Sequence, residues 1–424
     1  MTTSPPTPRT SHISVDKRIL HILTGVLAFL LAATILTGCG KKGQKEYEKG
    51  LNLYTLHHPA AAQQFAIAAN LGHAGAQCKL GDCFAEGLGV RRDLIEAVKW
   101  YRMAADQGDA EAQYNLSNCL MSGQGVKEDQ IEAAKMARKA AEQGFAAAQD
   151  ALGVCYGAGL GVNEDLTESV KWFRKAAEQG HSWAQLHLGD CYYSGLGIKE
   201  DKAEAVKWTR KAADQGLVNA QLMLGCYIGT GQGIKEDLTE AAKWFRAAAE
   251  QGNSKAQVIL SQFYFYGIGV KKDYQEAREW NNTAARELGG KILFYRVEEP
   301  YKSYYFHWIK RAAEQGDAEA QSELGSLYQT GFCCKDMTEA MKWFRKAAEQ
   351  GNQSGINQLK IFERDCENAE RGDAEAQYQL GRIYAQGDSE GKYLSEAMKW
   401  LRKAAEQGHE NAISLLKELE KKNQ

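Results

Sequence analysis

The sequence predicts an all-α protein, an α-solenoid assembled from helix–turn–helix repeats. Glycine recurs with a period of 36 residues, at Gly72, Gly108, Gly144, Gly180, Gly216 and Gly252. A fixed period in this range is typical of repeat architectures, in which each repeat is one supersecondary unit. Only 5 prolines occur in 424 residues, and three of them precede residue 9, so the remainder of the chain is permissive for helix.

Each repeat is expected to begin with an amphipathic helix. In the repeat at residues 109–144, Ala112, Leu116 and Cys119 are spaced i, i+4 and i+7, which places them on one helix face. The glycine-rich segment 123–126 then breaks this first helix, because glycine adopts turn conformations at little steric cost.

A capping motif marks the start of the second helix. Asp129 is followed three residues later by Glu132; Asp is a strong N-cap, and Glu at this position can reach back to the N–H of the cap residue. The same pair recurs at Asp93/Glu96, Asp165/Glu168, Asp201/Glu204, Asp237/Glu240, Asp273/Glu276 and Asp336/Glu339. The helix closes at Gly144, where a positive φ favours glycine. Most of the 42 glycines are therefore expected at helix ends.

Tryptophan and paired alanines are the predicted core residues. Paired alanines such as Ala104-Ala105 let neighbouring helices approach closely. The second helices supply the large partners, which are Trp100, Trp172, Trp208, Trp244, Trp280, Trp308, Trp343 and Trp400. One repeat cannot bury its own apolar face, so stacked neighbours must share a continuous core.

The recurring phrases resemble a known family. Gly-x-Gly-Val-x-x-Asp and Glu-Ala-x-Lys-Trp-Phe-Arg-Lys-Ala-Ala-Glu-Gln-Gly resemble the Sel1-like repeat, a relative of the tetratricopeptide repeat, over about Gly72 to Gly408. The resemblance implies a right-handed α-solenoid used mainly for protein–protein assembly. We expect its concave face, lined by first helices, to bind a protein or peptide.

The repeats divide the chain into segments. We expect, in order, a signal peptide or membrane anchor at 1–38, a divergent first repeat at 39–72, regular repeats at 73–289, a shortened aromatic-rich repeat at 290–316, a repeat at 317–351, a half-repeat helix at 352–372, a repeat at 373–408 and a capping helix at 409–424.

The shortened repeat is the predicted place for a distinctive site. Tyr295, Tyr301, Tyr304 and Phe306 are its candidate partner contacts. Alternatively, these aromatic side chains fill the space left by the missing turn. Trp308 aligns with the core tryptophans, which favours the second interpretation.

The N-terminal segment has the layout of a secretory signal. Lys17-Arg18 precede an apolar run, and Leu36-Thr37-Gly38-Cys39 resembles the lipobox of bacterial lipoproteins, which would make Cys39 the lipidated residue. The alternative is an uncleaved anchor just long enough to span a bilayer. Both place the repeats on the extracytoplasmic side, in the cell envelope. Gly40 in place of Asp favours the outer membrane.

The cysteines are predicted to be mostly buried free thiols. Cys83, Cys119, Cys155 and Cys191 share one repeat position, which later repeats fill with apolar or aromatic residues. The disulfide framework of some extracytoplasmic Sel1-like proteins needs a second regular cysteine, which is missing. Cys333-Cys334 are expected to be an unreactive loop pair, although an oxidising compartment permits a disulfide there.

We find little support for chemistry in the sequence. The net charge of -2 gives no reason to expect nucleic acid. No cofactor, metal site or small-molecule substrate is predicted, since His57-His58 have no suitably spaced partner ligands. Ser-x-x-Lys occurs without its companion motifs, so we expect no enzyme. Two alternatives stay open: a β-lactam or cell-wall-related hydrolase or binder, and a secreted host-interaction factor.

Overall fold

The structure, a computed structural model, describes residues 43–287, 301–331, 336–386 and 394–422. These residues form helices, and no β-strand occurs among them. The helices are α1 Gln44–Thr55, α2 Ala60–Asn70, α3 Ala74–Glu86, α4 Leu94–Asp106, α5 Ala110–Ser122, α6 Gln130–Glu142, α7 Ala146–Ala158, α8 Leu166–Glu178, α9 Ser182–Ser194, α10 Lys202–Asp214, α11 Val218–Thr230, α12 Leu238–Glu250, α13 Ser254–Tyr266, α14 Tyr274–Glu287, α15 Tyr301–Glu314, α16 Ala318–Thr330, α17 Met337–Glu349, α18 Gln353–Glu370, α19 Ala374–Gln386, α20 Leu394–Glu406 and α21 Glu410–Lys422.

The chain divides into two compact units, which meet in sequence between Ala184 and Gln185. In the first unit, α3, α5 and α7 each pack against the helix that follows and the helix that precedes them. In the second unit, α11, α13 and α19 do the same. Each unit is therefore a stack of helical hairpins, and the prediction of an all-α solenoid is confirmed.

The second helices begin as the sequence predicts, with one difference. Asp129 Oδ1 accepts the backbone N–H of Glu132 at 2.9 Å, and the six equivalent Asp residues make the same bond. The prediction that the Glu132 side chain accepts the backbone N–H of the cap residue, Asp129, is wrong. The N–H of Asp129 donates instead to the carbonyl of Leu120, 3.0 Å away on the first helix. The glutamates are thus left to pair with basic residues, as Glu96 does with Lys99.

The second glycine of each Gly-x-Gly turn marks where consecutive repeats meet. Gly125 has φ +71, and a Cβ there would lie 2.2 Å from the carbonyl oxygen of Leu94 in the preceding repeat. Gly161 and Gly233 approach their preceding repeats equally closely. Glycine is required twice over at this position, by the backbone conformation and by the contact.

The predicted core residues pack as expected. Ala104 and Ala105 are buried, as are Trp172, Trp208, Trp308, Trp343 and Trp400. Trp100, Trp244 and Trp280 are only half-buried. Gly81 lies beneath the ring of Tyr101, so the two helices of that hairpin approach closely.

A glutamine pair ties each repeat together. Gln113 on α5 donates to the carbonyl of Ala105 at the end of the preceding α4, 3.2 Å away. Gln143 then donates to Gln113 Oε1 at 2.8 Å. Equivalent pairs, each at 2.6–2.8 Å, are Gln107–Gln77, Gln179–Gln149, Gln215–Gln185, Gln251–Gln221, Gln350–Gln321 and Gln407–Gln377. These bonds satisfy buried amides and helix-end carbonyls, which would otherwise be costly.

Candidate functional site

The site is one side of the first helices, defined by a pair of positions that recurs with the repeat period. We call it the first-helix face. It carries Lys79 and Asp82 on α3 and the positions that follow these two at the repeat period. In the next repeats these are Asn115 and Asn118, Ala151 and Val154, His187 and Asp190, Met223 and Cys226, and Ile259 and Gln262.

Helix α15 lies on this face within the second unit. It packs against α11 and α13, which are both first helices. The Tyr301 hydroxyl contacts the Met223 sulfur at 3.6 Å, and Lys255 Nζ lies 4.9 Å from the centre of the Tyr301 ring. The first-helix face can therefore hold a helix.

Trp308 is the anchor of this contact. Its side chain is 1% exposed, and its indole N–H donates to the carbonyl of Gly229 at 2.9 Å. The ring meets Phe245 and Phe263 edge to face, each at 5.3 Å between centroids. Gly229 leaves room for the indole, because a Cβ at residue 229 would lie 3.1 Å from the indole nitrogen.

The predicted contact residues have different environments. Tyr304 is buried, and its hydroxyl lies 3.4 Å from that of Tyr193. Tyr301 and Phe306 are half-buried, and Phe306 packs edge to face on Tyr328. The burial of Tyr304 agrees with the core-filling interpretation, although its side chain also lines a cavity. Tyr295 lies outside the described residues.

Charged groups hold the other end of α15. His307 Nε2 and Arg311 Nε each lie 3.3 Å from one oxygen of Glu236, in the turn that precedes α12. These pairs are partly exposed, so each contributes little stability by itself. Their effect is to fix the direction of the helix on the face.

A cavity of about 460 Å³ remains between α15 and the face. Its lining includes Asp190 and Tyr193 from α9, Tyr227 from α11, and Tyr304 and His307 from α15. The rings of Tyr193 and Tyr227 stack with centroids 4.7 Å apart. A second cavity, of about 370 Å³, lies among α13, α14, α15 and α16, where Tyr305 donates to Glu323 at 3.2 Å. Burial raises the pKa of Glu323.

The first-helix face of the first unit begins with a charged network. Lys79 Nζ lies 2.7 Å from Glu111 and 3.0 Å from Asp82, which also accepts from Tyr101 and Asn115. Burial lowers the pKa of Lys79, but the ion pairs with Asp82 and Glu111 outweigh it, and the net pKa is raised. The two carboxylates outnumber the one cation, so this part of the face is acidic.

The face then becomes apolar. On α7 it presents Ala147, Ala151 and Val154, and Val154 is 37% exposed. Trp183, at the first turn of α9 and within the first unit, is 43% exposed. Small side chains next to exposed large ones form a surface that another helix can pack on.

The described cysteines are free thiols. Cys83 and Cys155 are buried, Cys119 and Cys191 are half-buried, and none of the four forms a disulfide, which confirms the prediction of free thiols. Burial raises the pKa of Cys83 to about 12 and that of Cys191 to about 11. Cys39, Cys333 and Cys334 lie outside the described residues.

The described residues offer neither a metal-binding cluster nor a membrane-spanning helix. Within residues 43–287, 301–331, 336–386 and 394–422, no group of three or more His, Cys, Asp or Glu side chains could hold a metal ion. In the same segments no helix has the length and apolar character needed to cross a bilayer. The predicted anchor, residues 1–38, lies outside them.

The fold and the site define a helical-repeat protein whose face is suited to contacts with other proteins. The Sel1 repeat model matches residues 74–109, 110–145, 146–181, 184–217, 218–253, 254–287, 306–317, 318–352 and 374–409. Since these segments cover more than half of the chain, the protein belongs to the Sel1 repeat family. Proteins of this family typically act in protein–protein interaction.

Two solved structures are similar to this chain. One is c5321, a protective antigen present in uropathogenic Escherichia coli strains; the identity is 34%, with 84% of this chain and 82% of that chain covered, at a TM-score of 0.52. The other is a Sel1 repeat protein from Oxalobacter formigenes, 33% identical over 56% of this chain and 96% of that one, also at 0.52. Among curated proteins, none matches.

Three features of the structure were not predicted from the sequence: the docking of α15, the cavity beside Asp190 and the glutamine pairs. The docking of α15 joins residues as distant as Trp308 and Gly229, which no local pattern predicts. The cavity beside Asp190 exists only because of that docking. The glutamine pairs do leave a signal, since Gln77 and Gln107 recur together with the repeat period.

Proposed function

We propose that this protein is a membrane-tethered scaffold that binds a partner protein through the first-helix face of its first unit. The observation that carries the proposal is α15, which the second unit already holds on its own first-helix face. The first unit offers the same arrangement of helices α3, α5 and α7. A partner helix would lie there as α15 does in the second unit.

The surface chemistry selects the kind of partner. The exposed side chains of Val154 and Trp183 favour an apolar stripe on the partner. Asp82, Glu86 and Glu111 carry more negative charge than Lys79 neutralises, and this net acidity favours basic residues beside that stripe. We therefore propose that the partner presents a basic amphipathic helix, recognised by its i, i+3, i+4 and i+7 anchors.

The location in the proposal rests on the N-terminal sequence. Lipidation at Cys39 would hold the repeats at the extracytoplasmic side of the envelope. The likeness to c5321 supports this location, since that protein is described as a protective antigen, and antigens are reached by antibodies. The same likeness supports a second candidate function, contact with host molecules at the cell surface.

Capture of partners tests the binding part. Purified residues 40–424 are immobilised, exposed to a detergent extract of the protein's own envelope, and analysed by mass spectrometry. Val154→Glu should abolish capture of a specific partner. Ile131→Glu is the matched control: Ile131 is 73% exposed and lies on a second helix, so the same change there should leave capture intact. Equal capture by both variants would reject the face.

Fractionation tests the tether. Wild-type protein and Cys39→Ala are expressed in cells fed an alkyne-labelled fatty acid. We expect label and cleavage only in the wild type, with Cys39→Ala retained as an uncleaved precursor. If both forms are uncleaved and unlabelled, the segment is an anchor and the lipobox assignment fails.

A further inference from the structure

We propose that the cavity between α15 and the first-helix face of the second unit takes a basic side chain, arginine or lysine, from a bound protein. The inference rests on the proposed function in that the side chain belongs to a protein partner. It goes further by naming the chemical group that this cavity recognises.

Asp190 supplies the charge. It lines the cavity from α9 and is exposed to solvent. Its carboxylate makes no hydrogen bond or ion pair with a described residue. At the equivalent position on α3, by contrast, the carboxylate of Asp82 is bound by Lys79, Tyr101 and Asn115. The carboxylate at this repeat position is thus hydrogen-bonded within the chain at Asp82, whereas at Asp190 it is available to a ligand.

The other charges near the cavity are already paired. His307 faces Glu236 at 3.3 Å. Lys202, which lies 5.3 Å from the centre of the Tyr193 ring, donates to Gln232 at 3.1 Å and lies 3.7 Å from Glu200. His187, one turn before Asp190 on α9, attracts its carboxylate. Asp190 nevertheless forms no ion pair with a described residue.

Tyr227 supplies a second open group. Its side chain is 1% exposed and lines the cavity, yet its hydroxyl makes no hydrogen bond with a described residue. A cationic donor would satisfy the hydroxyl oxygen of Tyr227 and the carboxylate of Asp190 together, whereas an anion would be repelled by Asp190.

Tyrosine walls complete the fit. Tyr193 and Tyr304 close the cavity with their hydroxyls 3.4 Å apart. Aromatic faces attract organic cations, and a guanidinium or an ammonium on an aliphatic chain fits apolar walls with a polar end. The volume of about 460 Å³ is within the range of small-ligand sites and leaves room for the backbone beside the inserted side chain.

Blocked amino acids test this directly on residues 40–424. Titration calorimetry with N-acetylarginine methylamide and N-acetyl-lysine methylamide should show binding, and N-acetylleucine methylamide should show none. Asp190→Asn should weaken binding about tenfold, because it removes a charge-assisted bond. Tyr227→Phe should weaken it by less. Asp214→Asn, the same change at an exposed end of α10, should have no effect.

Three results would overturn the inference. These are failure of the arginine probe to bind at millimolar concentration, equal binding by Asp190→Asn and wild type, and equal binding of the leucine probe. If methylguanidine binds as tightly as blocked arginine, the claim that the cavity recognises a side chain of a protein is contradicted. Since these probes need no partner protein, their failure leaves the capture result for Val154→Glu untouched. Failure of capture leaves the probe result untouched in turn.

Discussion

The indole N–H of Trp308 donates to the carbonyl of Gly229 at 2.9 Å, across 79 residues of sequence. This bond joins α15 to α11 and gives the second unit a helix on its first-helix face. Trp172 and the other second-helix tryptophans align with Trp308 in sequence, but Trp172 packs on its own repeat and on the repeat before it. The different environment of Trp308 follows from the interruption of the repeat period after α14.

Loss of Trp308 should release α15. Trp308→Ala removes a fully buried indole and should lower the free energy of unfolding by about 3–5 kcal/mol. Trp308→Phe keeps most of the packing and loses the donor, so about 1 kcal/mol is expected. Hydrogen exchange should show α15 opening first in the alanine variant. Uniform opening of the whole second unit would contradict a local anchor.

The two glycines of one turn should differ in tolerance. Gly123→Ala meets a positive φ of +68 but no atom closer than 3.6 Å, so a cost of about 1–2 kcal/mol is expected. Gly125→Ala has a similar φ and also a Cβ 2.2 Å from the Leu94 carbonyl, so it should cost at least twice as much. Urea unfolding measures both. Equal midpoints would show that the contact with Leu94 is easily relieved.

The two glutamines of one pair should contribute unequally to the free energy of unfolding. Gln113→Leu removes two bonds of a buried side chain, to the Ala105 carbonyl and from the Gln143 amide, and should destabilise by about 1–3 kcal/mol. Gln143→Leu also removes two bonds, to Gly108 and to Gln113, but at an exposed residue where water can replace them, and should cost about half of that or less. Gln124→Leu, in an exposed turn, is the control. A larger loss of stability in Gln143→Leu than in Gln113→Leu would contradict the prediction that the buried glutamine contributes more.

The buried thiols should make the protein sensitive to alkaline pH. Burial raises the pKa of Cys83 to about 12, from 9.0 in an accessible thiol. Above pH 9 the unfolded chain loses this proton while the folded chain keeps it, so stability must fall as pH rises. The urea midpoint should drop between pH 8 and pH 10. Cys83→Ala should flatten that drop, even though the substitution itself lowers stability at both pH values.

The regular part of the fold could be predicted because its rules are local. The caps at Asp129 and the helix end at Gly144 depend on residues a few positions apart. The expected bond between Glu132 and the N–H of Asp129 is absent for a tertiary reason, since that N–H donates to the Leu120 carbonyl on the neighbouring helix. The Asp190 cavity could not be predicted, because it depends on where α15 comes to lie.

The glutamine pairs also bear on how such a chain changes over generations. Gln77 and Gln107 belong to the same 36-residue segment, and the cap that Gln77 places on Ala69 is one that any segment can place on its predecessor. A duplicated or deleted segment therefore carries its own complete bonding with it. Recombination between whole segments can lengthen or shorten the array and still leave every glutamine amide of these pairs hydrogen-bonded. Deletion of only part of a segment would separate a glutamine from its partner.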